Sequence, residues 1–211
     1  MEKWKISGAA FLFLSAVQIA RIGFVWLAQM MGKESFAWNR IYNGIFMLLV
    51  MGILVGYTWR KKERLCFLPA VWKPVYSVGI VLTGLFWCIT PFLTKNTSME
   101  NLAFLTESAL ILPLFEEFLF RGLFWKRLET AGGKKTALWV SSCLFGLWHI
   151  GYVDTILYRM SWAGREGNIA EILFWKVITG FLLGLIFGWM RRKFKNGLPG
   201  ILTHIVLNTM G

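Results

Sequence analysis

Residues 112–124 read L-P-L-F-E-E-F-L-F-R-G-L-F, an apolar run broken by two adjacent carboxylates, Glu116 and Glu117, and by Arg121. At hydrocarbon depth each ionised side chain costs roughly 2.5–3.5 kcal/mol even on the mildest insertion scales, so charge in such a segment marks a functional site by default. The flanks carry the same apolar character. The chain's two histidines, His149 and His204, also lie in apolar stretches, S-S-C-L-F-G-L-W-H-I and G-I-L-T-H-I-V-L-N.

The whole chain follows this pattern. Its 211 residues are 56% hydrophobic, with a mean hydropathy of +0.56, 12 Trp and 18 Phe, which is more apolar and aromatic surface than a soluble domain of this size buries. The expectation is an all-α, polytopic membrane protein. Taking about 20 apolar residues per span, seven transmembrane helices are predicted in one bundle, over 6–31, 41–59, 75–93, 101–125, 136–158, 169–190 and 198 to the C-terminus. The last is short, reaching only roughly 21 Å at 1.5 Å per residue. No repeat, low-complexity tract or soluble domain interrupts the run, so residues 1–211 read as a single transmembrane domain with a catalytic core over 100–211.

Lysine and arginine in short loops concentrate on the cytoplasmic side. Lys3, Lys5, Arg60, Lys61, Lys62, Arg64, Lys73, Lys126, Arg127, Lys134, Lys135, Arg191, Arg192, Lys193 and Lys195 fall on one side, and Lys33, Arg40, Lys95, Arg159 and Arg165 on the other. The predicted protein is a multi-pass cell-membrane protein with a cytoplasmic N-terminus and an outward C-terminus. The net charge of +12 sits at membrane ends, where it suits anionic headgroups, so lipids are the expected partner and nucleic acid is not. The first segment is too long, and lacks the small-residue site, to be a cleaved signal peptide. Cys66, Cys88 and Cys143 form no C-x-x-C pair, and no disulfide or thiolate metal site is expected.

Polar residues divide the chain. Before residue 100 the spans hold few of them, Gln18 and Arg21 being the exceptions, so the chemistry belongs to residues 101–211. On a helix, Glu117 lies over Arg121 at i, i+4, which leaves Glu116 without an in-helix counter-ion and suited to act as a general base. The structural alternative is that both carboxylates pair with Arg121. Pro113 removes a backbone bond one turn earlier and bends the helix beside the pair. Phe145 shares a face with His149, and His204 shares one with Asn208, a donor pair suited to an oxyanion or to interhelical hydrogen bonding. Gly180, Gly184 and Gly188 give the sixth span a smooth packing face.

E-E-F-L-F-R (116–121), F-G-L-W-H (145–149) and H-I-V-L-N (204–208) resemble, in order and spacing, the E-E-x-x-x-R, F-x-x-x-H and H-x-x-x-N/D motifs of the CPBP family. Its members are the CAAX-prenyl-protease and bacteriocin-processing intramembrane endopeptidases, also called Abi or Ras-converting-enzyme-type proteins. The resemblance covers residues 100–211. It implies hydrolysis of a hydrophobic or lipidated peptide approaching from the cytoplasmic side. Glu116 and His149 would activate water, His204 and Asn208 hold the oxyanion, and Glu117, Arg121 and Phe145 support them. No cofactor is favoured; the family is also named a metalloprotease, and Glu116, His149 and His204 would make a zinc set. The rivals are a non-catalytic immunity or scaffold protein of the same family and a proton-coupled transporter, although the inverted repeats that many transporters show are not evident.

Overall fold

The computed structural model describes residues 2–63, 65 and 67–210, so Arg64 and Cys66 lie outside the described residues. Every regular element among the described residues is helical. Three long helices come first: α1 (Glu2–Met31), α2 (Phe36–Arg60) and α3 (Pro74–Leu93). The charged run is a relay of short segments: α4 (Met99–Thr106), a π turn (Glu107–Ile111), α5 (Leu112–Glu117) and a second π turn (Phe118–Phe124). Then come α6 (Trp125–Trp148), a 3₁₀ turn (His149–Tyr152), α7 (Val153–Trp162), α8 (Ile169–Phe194) and α9 (Leu198–Met210).

Local chemistry fixes the helix ends. Ser35 Oγ accepts from the Trp38 amide, Ser98 Oγ from Asn101, and Asn168 Oδ1 from Ala170 and Glu171, so side chains satisfy amides that have no partner in the first turns of α2, α4 and α8. Within α6 the chain turns a corner at Gly133, whose φ of 76° and ψ of 176° suit a residue without a Cβ.

The expected all-α membrane architecture is shown, but the count of seven spans is not. Four of the described helices are long and apolar enough to cross a membrane: Trp4–Met31, Phe36–Arg60, Pro74–Leu93 and Ile169–Phe194. The segment expected over 101–125 is divided by its two π turns, and the one over 136–158 by the 3₁₀ turn at His149. The 13 residues of α9 extend about 20 Å, too short for a span.

The core lies where α6 packs on α8, and the glycine stripe sets their separation. A Cβ on Gly184 would fall 2.9 Å from the Ser142 Cα, and one on Gly188 would fall 2.6 Å from a Leu138 methyl. Phe115, Phe120, Phe145, Phe187, Leu119 and Trp125, all almost fully buried, fill the space towards the basic loops.

Candidate active site

The site begins with a defect in helix hydrogen bonding. In the π turn over 107–111 the Leu112 amide donates to the Glu107 carbonyl, five residues back rather than four. The Ser108 carbonyl would then look to residue 112 or 113 for a donor, but the first is engaged and Pro113 has no N–H. Asn208 Nδ2 donates to it instead at 2.8 Å. A proline expected to bend one helix thus leaves a carbonyl that another helix, α9, satisfies.

The short α5 sets Glu116 and Glu117 on different neighbours, both buried. Oε1 of Glu116 accepts from Trp148 Nε1 and from the Tyr152 hydroxyl, each at 2.8 Å, while Oε2 lies 3.8 Å from His204 Nε2. One carboxylate oxygen is therefore fixed by two donors and the other is turned towards an imidazole. Glu117 Oε1 lies 3.2 Å from Arg121 Nη1, with both residues fully buried, and 3.4 Å from His204 Nδ1. Arg121 Nη2 donates to the Gly184 carbonyl, and its guanidinium lies 4.5 Å from the centre of the Phe145 ring. Both Glu117 oxygens, Arg121 Nε and Nη1, and His204 Nδ1 have no aligned hydrogen-bond partner among the described residues, a costly arrangement at this depth.

At His149 the backbone tightens. Its amide reaches the Gly146 and Leu147 carbonyls, and its ring Nδ1 lies 2.8 Å from the Phe145 carbonyl. Since that oxygen only accepts, Nδ1 carries the proton and Nε2 is left with a lone pair. Gly180 makes the position available, because a Cβ there would fall 2.7 Å from Nδ1. His204 stacks on Phe187 at 4.8 Å and meets Phe145 edge-on. Phe145 thus touches both histidines and Arg121.

Glu116, Phe145, His149, His204 and Asn208 line one cavity of about 450 Å³. From Glu116 it runs past Tyr152 to Arg40, Phe104, Arg159 and Ile172, near the ends of α2, α4, α7 and α8 that lie opposite the lysine- and arginine-rich loops. A second cavity, of about 510 Å³, is lined by apolar residues with Tyr57 and Arg127 and holds no carboxylate or imidazole.

Sequence reasoning missed several residues. Trp148 and Tyr152, the donors to Glu116, flank His149 and carry polar tips on apolar bodies, a signal that was available. Gln18 and Arg21, exceptions in the sequence with no role assigned, bind the turn that bears His149. Arg21 pairs with Asp154 and donates to Asn43 Oδ1 at 2.6 Å and to the Gly151 carbonyl at 2.8 Å, while Gln18 Nε2 donates to the Trp148 carbonyl. Because α2 starts at Phe36, five residues before the predicted span, it also buries Asn39 and Arg40, along with Asn43.

The suggested zinc set does not converge. Among the described residues no three His, Cys, Asp or Glu side chains are grouped to hold a metal ion. The metalloprotease expectation has no support among the described residues.

The model of a protein family, the Rce1-like type II CAAX prenyl endopeptidases, matches residues 97–210, more than half of the chain. The chain belongs to this family. The matched region of this Rce1-like protein runs from the loop before α4 to the end of α9 and holds all seven residues singled out in the sequence. It leaves out Gln18, Arg21 and Asn43, so the residues that hold the His149 turn from α1 and α2 lie outside the matched region. No curated protein and no solved structure matches the chain.

Proposed function

We propose that this chain is an intramembrane endopeptidase that hydrolyses a peptide bond in a hydrophobic or lipidated peptide, using Glu116 and His149 to activate water. The observation that carries this reading is the asymmetry of Glu116. Trp148 and Tyr152 hold Oε1, and Oε2 is left towards a cavity that His149, His204 and Asn208 line. A carboxylate positioned in this way keeps one oxygen for a proton without having to reorient.

Water bound at Oε2 gives its proton to Glu116, with the unprotonated Nε2 of His149 as its second acceptor, and the oxygen attacks the peptide carbonyl carbon. The carbonyl becomes an oxyanion. Asn208 uses one amide N–H on Ser108 and has a second for this oxygen. His204 stands between the two carboxylates, with Nε2 3.8 Å from Glu116 and Nδ1 3.4 Å from Glu117, and lines the same cavity, so its ring is placed to serve as the second donor to this oxygen. Collapse breaks the C–N bond, and the proton held by Glu116 leaves with the amine. Glu117 and Arg121 have no part in the transfer; their pairing holds the helix.

The test is turnover of a fluorogenic hydrophobic peptide by purified protein in lipid. Glu116→Gln keeps the shape and both hydrogen bonds to Oε1 but cannot take a proton; it should lose hydrolysis while melting within a few degrees of the wild type. Retained turnover sinks the assignment of the base. A wild type that turns over no peptide sinks the enzyme reading, leaving the non-catalytic one.

A further inference from the structure

The cavity carries charge that hydrolysis does not use. Beyond the Glu116 centre it is lined by four ionisable side chains: Arg40, Glu107, Arg159 and Lys176. Two of them cancel, since Arg40 Nη1 lies 3.6 Å from Glu107 Oε2 and Arg40 donates to Asn39 at 2.6 Å. The other two are cations without a carboxylate at ion-pair distance among the described residues. The Arg159 guanidinium lies over Phe104, 4.7 Å from the ring centre, and the Lys176 side chain lines the same cavity. Lys176 is placed by the same stripe that admits His149. It lies four residues before Gly180, one helical turn (about 6 Å) from the glycine on which the His149 ring rests.

Two cations thus face a hydrolytic centre across one cavity. Lys176 also lines a lateral groove with His149, Glu171, Trp175, Thr179 and Asn208; Glu171 makes no ion pair with it, and the cation stands where a peptide bound at His149 would pass. A group of opposite charge brought in by the ligand is what this wall accommodates, and Arg–carboxylate contacts are strong because the charge-assisted bonds are paired and directional.

We propose that Arg159 and Lys176 form an anion-binding subsite that receives a carboxylate of the peptide substrate and positions the scissile bond over Glu116. The inference rests on the endopeptidase reading for its consequence but not for its binding test. A carboxylate has two sources in a peptide, the chain terminus and an Asp or Glu side chain. The subsite selects peptides with such a group near the bond that is cut, and its loss raises KM rather than lowering kcat.

The experiment uses the full chain carrying Glu116→Gln, reconstituted in lipid nanodiscs, and one fluorescent hydrophobic decapeptide in three forms. These are the C-terminal acid, the C-terminal amide, and the amide with a Glu side chain near its end. At low salt at least one acid-bearing form should bind about five- to ten-fold more tightly than the neutral amide, as expected for two partly exposed ion pairs. The form that gains identifies the source. Arg159→Gln with Lys176→Gln should remove the gain, and Lys176→Glu should shift preference to a peptide bearing Lys. In the otherwise wild-type chain the double substitution should raise KM about five- to ten-fold with kcat kept within about two-fold.

Equal binding of all three forms overturns the subsite, and so does a gain that survives the double substitution; in both cases the cations serve lipid headgroups only. Acid preference in a protein that cleaves no peptide upholds the subsite and removes the protease reading. Cleavage without acid preference does the reverse. The comparison of acid with amide needs no variant at Arg159 or Lys176, so it stays decisive even where the double variant fails to fold.

Discussion

Glu116 and Glu117 are neighbours in the chain and opposites in environment. Glu116 accepts two hydrogen bonds, whereas the fully buried Glu117 has Arg121 at 3.2 Å and His204 at 3.4 Å, with no aligned donor among the described residues. Removing one member of a buried pair strands the other, at about 3–5 kcal/mol. Glu117→Ala should therefore lower stability by about that amount, measured by thermal unfolding in detergent, and should cost folding yield, while Glu116→Gln should cost little. Equal melting temperatures for Glu117→Ala and wild type would show that the pair contributes nothing. The pairing of Glu117 with Arg121 was legible in the sequence because i, i+4 spacing fixes which side chains meet on a helix. The fate of Glu116 was not, because its donors, Trp148 and Tyr152, are more than thirty residues away and reach it only in the folded chain, from the end of α6 and from the 3₁₀ turn.

At the scale of elements, hydrophobic length predicted where helices lie but could not reveal what interrupts them. A π turn changes the count of residues per turn without changing composition, so the two flanking α5 carry no periodic signature. Pro113 was the visible clue, and its effect is felt in α9. Restoring a donor by Pro113→Ala offers Ser108 an amide that competes with Asn208 Nδ2. In the wild type, Asn208→Ala leaves a part-buried carbonyl without its donor and should cost about 1–2 kcal/mol. In the Pro113→Ala background it should cost about 1 kcal/mol less, a coupling that a double-mutant cycle measures by thermal unfolding. Additive losses would mean that the Ser108 carbonyl is satisfied independently of both residues. The glycines at 180, 184 and 188 were legible as a packing face, since small residues four apart have few other uses in a span; that Gly180 admits the His149 ring needed coordinates.

At the scale of the molecule, charge and cavity point in opposite directions. The basic loops lie at one end, and the cavity runs to the other, past Arg40 and Arg159. We propose that the basic end lies in the cytoplasm, which would turn the mouth outward and admit a peptide from the outer half of the bilayer. In a chain freed of its own cysteines, Glu166→Cys in the α7–α8 loop should react with an impermeant maleimide on intact cells, and Lys134→Cys only after permeabilisation. The reverse pattern would turn the cavity to the cytoplasm. Sequence alone also divided the molecule too sharply into an inert first half and a chemical second half, because Gln18 and Arg21 make their bonds to residues 130 or more positions away. Those bonds have a mechanical consequence. The 30 residues of α1 extend about 45 Å, longer than the roughly 30 Å of hydrocarbon, and a helix of that length is accommodated by tilting, by kinking or by local thickening of the bilayer. Arg21, fastened to Gly151 and Asp154, ties α1 to the turn that bears His149, so a change of lipid chain length that shifts α1 would be felt at the proposed site.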